Sequence, residues 1–390
     1  MALLDLWNAD RQQITGKRID QLIAFAGEGR LRDGNTTSEE FRTLLKAVSS
    51  DVIGQWLNEC LENRFTDFGF VLQDTVNEVG RRLSFDVTHG VYRSHSNEGY
   101  DGLWRIPGGR AILVESKSST SYSINLSRIS EYRKQVAPQL GLRPDDISIL
   151  IVVGTEDTSE FEAQVRGSRF AWDIRILGVQ ALYRLLKLKE ALDDPMVERQ
   201  IQDILFPQEF TRLDRIIDLV FATAEDAQDI ETEETDDEIE GGDSTPEKPR
   251  ANFHAAILPR LEKHFGQPLV KRSRSQWATP DDAVLVSCQV SKHFDKGNAD
   301  FWFGLKRTSR ESLQENKNAF CAFGLGSPER VVLLPMSFLD PHVEGFFSSP
   351  DKAGGIQHWH VRFVNTEPGL ALLIERDKKQ LDVTEYLLKE

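Results

Sequence analysis

The stretch GYDGLWRIPGGRAILVESKSS (Gly99–Ser119) decides how the chain is read. GYDGLWRI is β-like, Pro107-Gly108-Gly109 is a turn signal, and RAILVESKSS returns as an apolar strand, so the pattern predicts a hairpin. Side chains on a strand alternate between faces, so Glu115 and Lys117 share one. Asp101 opens the strand before the turn, fourteen residues ahead of Glu115. The hairpin folds it back beside its partner, so two carboxylates and an ammonium are expected to converge at one sheet edge.

Working outward, the residues before Phe85 read as mostly helical. Ile19, Leu22, Ile23 and Phe25 form an apolar cluster. SEEFRTLLKAV (Ser38–Val48) follows a Ser-x-x-Glu-type start signal and sets Phe41, Leu44, Leu45 and Val48 on one face. VLQDTVNEVGRRL (Val71–Leu83) repeats the pattern and ends on Arg81 and Arg82, cations that suit a helix C-terminus. At Phe85 the period changes to an alternating one. After the hairpin come a helix near Leu126–Leu140, a buried strand ISILIVVGT (Ile147–Thr155), a helix at 159–166, a strand WDIRILG and the helical VQALYRLLKLKEAL. The expected unit is an α/β core, a mixed sheet flanked by helices.

Paired hard oxygen donors with open water positions suit Mg²⁺, with Mn²⁺ as a substitute. Asp101 and Glu115 are the expected metal ligands, with the Ser116 carbonyl as a further one. The ion would stabilise charge on phosphoryl oxygens, and Lys117 would position or deprotonate the attacking water. A lone Glu-x-Lys carries no information. Here it ends an apolar strand, follows an Asp in Gly-Tyr-Asp-Gly-Leu-Trp, and precedes a helix and a buried strand. In that combination the region of about residues 68–190 resembles the PD-(D/E)xK, or restriction-endonuclease-like, nuclease superfamily, and its restriction-enzyme branch in particular. Tyr100 stands where a proline would precede the aspartate, a position that varies freely in the superfamily.

The resemblance implies a metal-dependent endodeoxyribonuclease acting in restriction or anti-phage defence on double-stranded DNA. It also implies a homodimer or higher homo-oligomer, since cutting both strands takes two sites. Many members add an acid from the helix before the first strand. Glu78 is the first candidate and Asp74, four residues earlier on the same face, the second; a solvated helix carboxylate is the alternative for each. Ser118, Ser119, Arg128 and Lys134 are candidate phosphate contacts, against the reading of a polar loop and a solvated helix face. The competing functional class is a non-cleaving nucleic-acid-binding or phage-sensing protein built on the same fold.

EDAQDIETEETDDEIEGGDSTPEKPR (Glu225–Arg250) has two isoleucines and no aromatic residue, a composition that cannot offset its ordering entropy. It reads as an acidic disordered linker over 224–250. With twelve acidic and two basic residues it carries −10 of the chain's −15, leaving −5 for everything else. The acidity is local and does not forbid basic surfaces elsewhere. The expected domains are a helical 1–84, a nuclease core over 85–223 that includes the helix 71–83, and an α+β recognition or sensor domain over 251–390. In the last, an extensive antiparallel sheet is expected between a helix at 252–264 and a closing helix LDVTEYLL. Lys271, Arg272, Arg274 and Trp277 form a candidate phosphate and base-stacking patch there, against the reading of an ordinary charged face. His358 and His360 read as hydrogen-bonded rather than zinc-binding, and Phe301-Trp302-Phe303 and Trp359 as core. The three cysteines, Cys60, Cys288 and Cys321, are too scattered for a disulfide framework or a zinc site. With no apolar run of membrane length and no basic-then-apolar start, the expectation is a cytoplasmic protein without membrane partners.

Overall fold

A computed structural model describes residues 2–92, 99–106, 109–118, 125–154, 158–192, 195–206, 249–294, 299–350, 355–367 and 369–389. The chain divides into two units: Met1–Lys189 with Met196–Ala224, and Glu190–Pro195 with Glu225–Glu390. Of the sequence expectations, Pro107, Gly108, Ser119 and the acidic segment through Lys248 lie outside the described residues. Among the described residues, no helix is long and apolar enough to cross a membrane.

The first unit opens with six helices: α1 (Ala2–Ala9), α2 (Arg11–Thr15), α3 (Ile19–Phe25), α4 (Thr36–Ala47), α5 (Ser50–Glu62) and α6 (Phe68–Arg82). Helix α4 starts two residues before Ser38, because Asn35 is the cap and its side chain accepts from the Ser38 N–H. Strands β1 (Asp86–His89), β2 (Gly102–Ile106) and β3 (Arg110–Lys117) then form an antiparallel meander. After α7 (Leu126–Leu140), β4 (Ile147–Val153) adds to β3 in parallel. After α8 (Ser159–Arg166), β5 (Ile174–Gly178) adds to β4 in parallel. The sheet order is β1-β2-β3-β4-β5, half antiparallel and half parallel, so the expected mixed α/β sheet is present. Helices α9 (Val179–Ala191) and α10 (Pro195–Leu205) follow.

Alternation along β3 assigns its two faces. Ala111 and Leu113 pack with Leu126, Ile129 and Tyr132 of α7. On the other face Trp104, the cross-strand partner of Ile112, packs against Gly80 of α6. Helix α6 is buried on nearly every side from Val71 to Gly80. Such close approach needs a missing side chain: a Cβ on Gly80 would stand 2.4 Å from the Trp104 ring. Gly80→Ala is therefore expected to destabilise the fold by about 1–3 kcal/mol, measured by denaturant unfolding. An unchanged midpoint would show that the helix can move away from the sheet.

In the second unit, α11 (Pro249–Phe265) starts three residues earlier than expected. One sheet has the order β11 (Val331–Pro335), β10 (Ala319–Leu325), β8 (Leu285–Ser291), β7 (Gln276–Ala278), β6 (Val270–Lys271). The other joins β12 (Ser348–Pro350), β13 (Ile356–Thr366), β14 (Gly369–Ile374) and β15 (Lys379–Asp382), with β9 (Phe301–Lys306) also paired to β13. The single extensive antiparallel sheet is thus corrected to two sheets, one of them mixed, since β8 and β10 run parallel. A helix, α12 (Arg307–Glu315), bridges β9 and β10, and α13 (Met336–Leu339) follows β11. The closing helix is a single 3₁₀ turn at Thr384–Tyr386. Phe301, Phe303, Val361 and Phe363 share one buried core with Phe323 and Leu334, while Phe253 and Ile257 of α11 cover the opposite face of the first sheet.

Candidate active site

Asp101 sits in the bend that enters β2, and its position is fixed at both ends of the residue. Its N–H donates to Val114 O at 3.0 Å. Its carbonyl accepts from three donors: Gly90 N–H at 3.0 Å, Gln73 Nε2 at 3.1 Å and Asn77 Nδ2 at 2.8 Å. The Asn77 amide also accepts from Trp104 Nε1 at 2.9 Å, so this one side chain of α6 holds the strand at two points. Gly102 makes room for this grip, because a Cβ there would lie 2.0 Å from Asn77 Oδ1. The Asp101 carboxylate turns toward β3, where Oδ2 accepts from the Ser116 N–H at 2.6 Å and its hydroxyl at 2.8 Å.

Glu115 and Lys117 lie on one face of β3, and Lys117 Nζ donates to Glu115 Oε1. The three expected residues are brought together: Lys117 acts on both carboxylates, and the Asp101 charge acts on Glu115. Burial comes first in raising Asp101 above the usual carboxylate range, opposed by Lys117 and Ser116 and reinforced by Asp74. Burial, then the Asp101 charge, pushes Glu115 up to about 7 against the pull of Lys117 and Arg128. Ser116 is nearly buried and spends both its N–H and its hydroxyl on Asp101.

Helix α6 supplies a different acid from the first candidate. Glu78 accepts from Arg81 at 2.9 and 2.8 Å and from Arg82 at 2.7 Å. Burial works against its ionisation, but Arg82 and Arg81 outweigh it and hold it at about 2. It faces these arginines, whereas the charge that reaches Asp101 is that of Asp74. Asp74 is itself sealed, with its carboxylate engaged by Arg42 at 3.0 Å, His89 at 3.2 Å and the Tyr92 hydroxyl. It acts on the site through its field.

The surroundings add cations. Arg128 is close enough to stabilise the ionised form of Glu115. Ser118 accepts from Arg64 Nη1 at 2.9 Å, a residue that sequence reasoning missed. Lys134 lies on the exposed side of α7 and pairs with Glu131 at 3.1 Å. In the second unit the expected stacking patch does not form. Trp277 is 4% exposed and packs into the core beside Phe253. Arg272 donates to Asp282 at 2.9 Å, and Lys271 and Arg274 are half-buried. His360 shares a 2.8 Å hydrogen bond with Ser349, and Trp302 faces outward while Phe301, Phe303 and Trp359 are core. All three cysteines are buried and free.

The donor set of Asp101 and Glu115 fits a hard divalent cation, because two buried carboxylates, both raised by burial and Glu115 also by Asp101, gain when a cation neutralises both. Among the described residues no three or more His, Cys, Asp or Glu side chains gather as a metal cluster. A cation here would complete its shell from water, backbone and phosphate oxygens, as Mg²⁺ commonly does. The same electrostatics give a pH signature in the metal-free protein. Glu115 ionises near 7 in the fold against 4.5 ordinarily, so it favours the fold fully below pH 4.5 and loses that contribution as pH rises through 7. Glu115→Gln is thus expected to be more stable than wild type in EDTA at pH 8 by about 2–3 kcal/mol. The gain should vanish below about pH 4.5; a gain independent of pH would refute the electrostatic origin.

Compared with known proteins, the chain matches no family model and no curated protein.

Proposed function

We propose that the chain is a Mg²⁺-dependent DNA endonuclease built on a restriction-endonuclease-like core. The observation that carries this reading is the meeting of Asp101, Glu115 and Lys117 at the end of β3, with Glu115 held near neutrality by burial beside Asp101. A sheet whose catalytic strand sits between an antiparallel hairpin and parallel β4 supports the same reading.

Asp101 and Glu115 hold the ion in this reading, and bound Mg²⁺ supplies positive charge to the phosphoryl oxygens as they gain charge. Ser116 keeps Asp101 turned to β3, and Gln73 and Asn77 fix the backbone from which that carboxylate projects. Lys117 orients the attacking water and counters the negative charge that builds around it. Mn²⁺ serves in the place of Mg²⁺. Double-stranded DNA as substrate, a homodimer, a role in restriction or anti-phage defence, a phage component or second subunit as partner, and recognition by residues 251–390 all rest on the resemblance of the core.

Cleavage of supercoiled plasmid tests the proposal, with wild type and Asp101→Ala each assayed in Mg²⁺ and in EDTA. Nicking or linearisation by wild type in Mg²⁺ alone is expected. Equal products from both proteins would mark a contaminant and overturn the assignment.

A further inference from the structure

We infer that Arg64 and Arg128 form a two-sided phosphate clamp at the end of β3, binding the phosphodiester groups that flank the one to be cut. The inference rests on the nuclease reading and deepens it. The substrate it specifies is a polynucleotide that continues past the scissile bond in both directions.

Each guanidinium is held by a ring and a hydroxyl. Arg64, between α5 and α6, donates to Ser118 Oγ at 2.9 Å and lies 4.6 Å from the Phe68 ring centre. Arg128, in the first turn of α7, donates from Nε to the Tyr132 hydroxyl at 2.5 Å and lies 5.7 Å from that ring. Both residues are exposed, and among the described residues neither has a carboxylate ion-pair partner. Four other arginines of this unit are spent on carboxylates: Arg42 on Asp74, Arg81 on Glu78, Arg110 on Asp203 and Arg133 on Asp173. A guanidinium ordered in this way keeps its full charge and several N–H donors for an anion, and loses little further entropy on binding.

Their placement follows from strand alternation. Ser118 shares the parity of Val114 and Ser116, the face on which Gly102 meets Asn77 of α6, so Arg64 is anchored on the α6 side. Glu115 shares the parity of Ala111 and Leu113, which pack on α7, and Arg128 reaches it from there. The two cations thus approach the end of β3 from opposite faces, Arg128 on the face that carries Glu115 and Lys117 and Arg64 on the other. A phosphodiester chain crossing that end meets a cation before the site and another after it. The need is physical: two carboxylates at the reaction centre repel a polyanion locally, so attraction there must come from cations beside them.

The clamp is tested by binding of the full-length protein to a fluorescein-labelled duplex, with Ca²⁺ replacing Mg²⁺ to spare the DNA, between about 50 and 200 mM salt. Each neutralised phosphate contributes about 0.9 to the slope of log affinity against log salt, so R64Q and R128Q should each lower the slope by about 0.9 and the double variant by about 1.8. R64K, which keeps the charge, should keep the wild-type slope. In Mg²⁺ the R64Q loss should fall on KM, about tenfold, with kcat within about twofold, since a flanking contact acts alike in ground and transition states; R128Q, which also removes a cation that favours ionised Glu115, should raise KM and lower kcat together. Wild-type slopes in R64Q and R128Q alongside a cleaving wild type would overturn the clamp and leave the nuclease reading standing. A wild-type protein that neither binds nor cuts DNA would overturn the nuclease reading, and the clamp with it.

Discussion

On the proposed nuclease reading, Lys117→Ala is expected to lower Mg²⁺-dependent strand cleavage by about 10²–10⁴-fold, the range lost when a positioned proton acceptor or a transition-state charge is removed. The side chain is 28% exposed, so its removal opens no core cavity, and the melting temperature should stay close to that of wild type. What it does remove is the cation that Glu115 and Asp101 share. Without it Glu115 rises above its already elevated value near 7 and is more often protonated at neutral pH. A second consequence follows: the variant needs more Mg²⁺, and its residual activity climbs more steeply with pH than that of wild type. Single-turnover rates across a Mg²⁺ series at two pH values separate the lost chemistry from the weakened ion binding. A rate within threefold or so of wild type is incompatible with a general-base or charge-stabilising lysine.

Arg82→Ala is expected to destabilise the first unit by about 3–5 kcal/mol, the cost of breaking a buried pair and stranding its partner. Arg82 is 2% exposed. It donates to Glu78 at 2.7 Å, to Ser50 Oγ at 2.8 Å, and to the carbonyls of Leu45 and Val48 at 2.8 and 2.6 Å. One guanidinium therefore caps the end of α4, ties it to α5 and balances the acid on α6. At about 2–4 °C per kcal/mol for a unit of this size, a fall of about 10 °C should register in thermal melts. The acid sensitivity should change as well. Glu78 ionises near 2 in the fold against 4.5 ordinarily, so its contribution is complete above pH 4.5 and disappears as pH falls toward 2. Arg82→Ala weakens that dependence, and a variant as stable and as acid-sensitive as wild type would contradict this account of the helical layer.

The hairpin pairing, the gathering of Asp101, Glu115 and Lys117, and the change of period at Phe85 were readable because they rest on short-range rules: alternation along a strand and residues two apart sharing a face. Glu78 was preferred to Asp74 because the two lie on one helical face and spacing alone cannot separate them. The neighbours could have: Arg81 and Arg82 stand three and four residues after Glu78, the positions from which a helix pairs its own charges. Trp277 in a run of cations reads as an exposed stacking residue, yet the run turns at Arg272–Ser275 and the tryptophan falls on the face covered by α11. Arg64 left no local trace, since its partner Ser118 is 54 residues away and only the fold joins them. The second unit was the least legible, because strands that alternate cleanly do not reveal which sheet each one joins, nor that β8 and β10 run parallel.

The most direct test of the central claim compares binding and cutting in one variant, Glu115→Gln. The substitution keeps the shape of the side chain and removes the charge that would hold the ion. Duplex affinity in Ca²⁺ and single-turnover cleavage in Mg²⁺ are measured on the same preparations of wild type and variant. The account predicts a variant that binds DNA within a few-fold of wild type and cuts it at least about 10²-fold more slowly. Cleavage by Glu115→Gln at the wild-type rate would contradict it, because the acid at the end of β3 would then have no part in the chemistry.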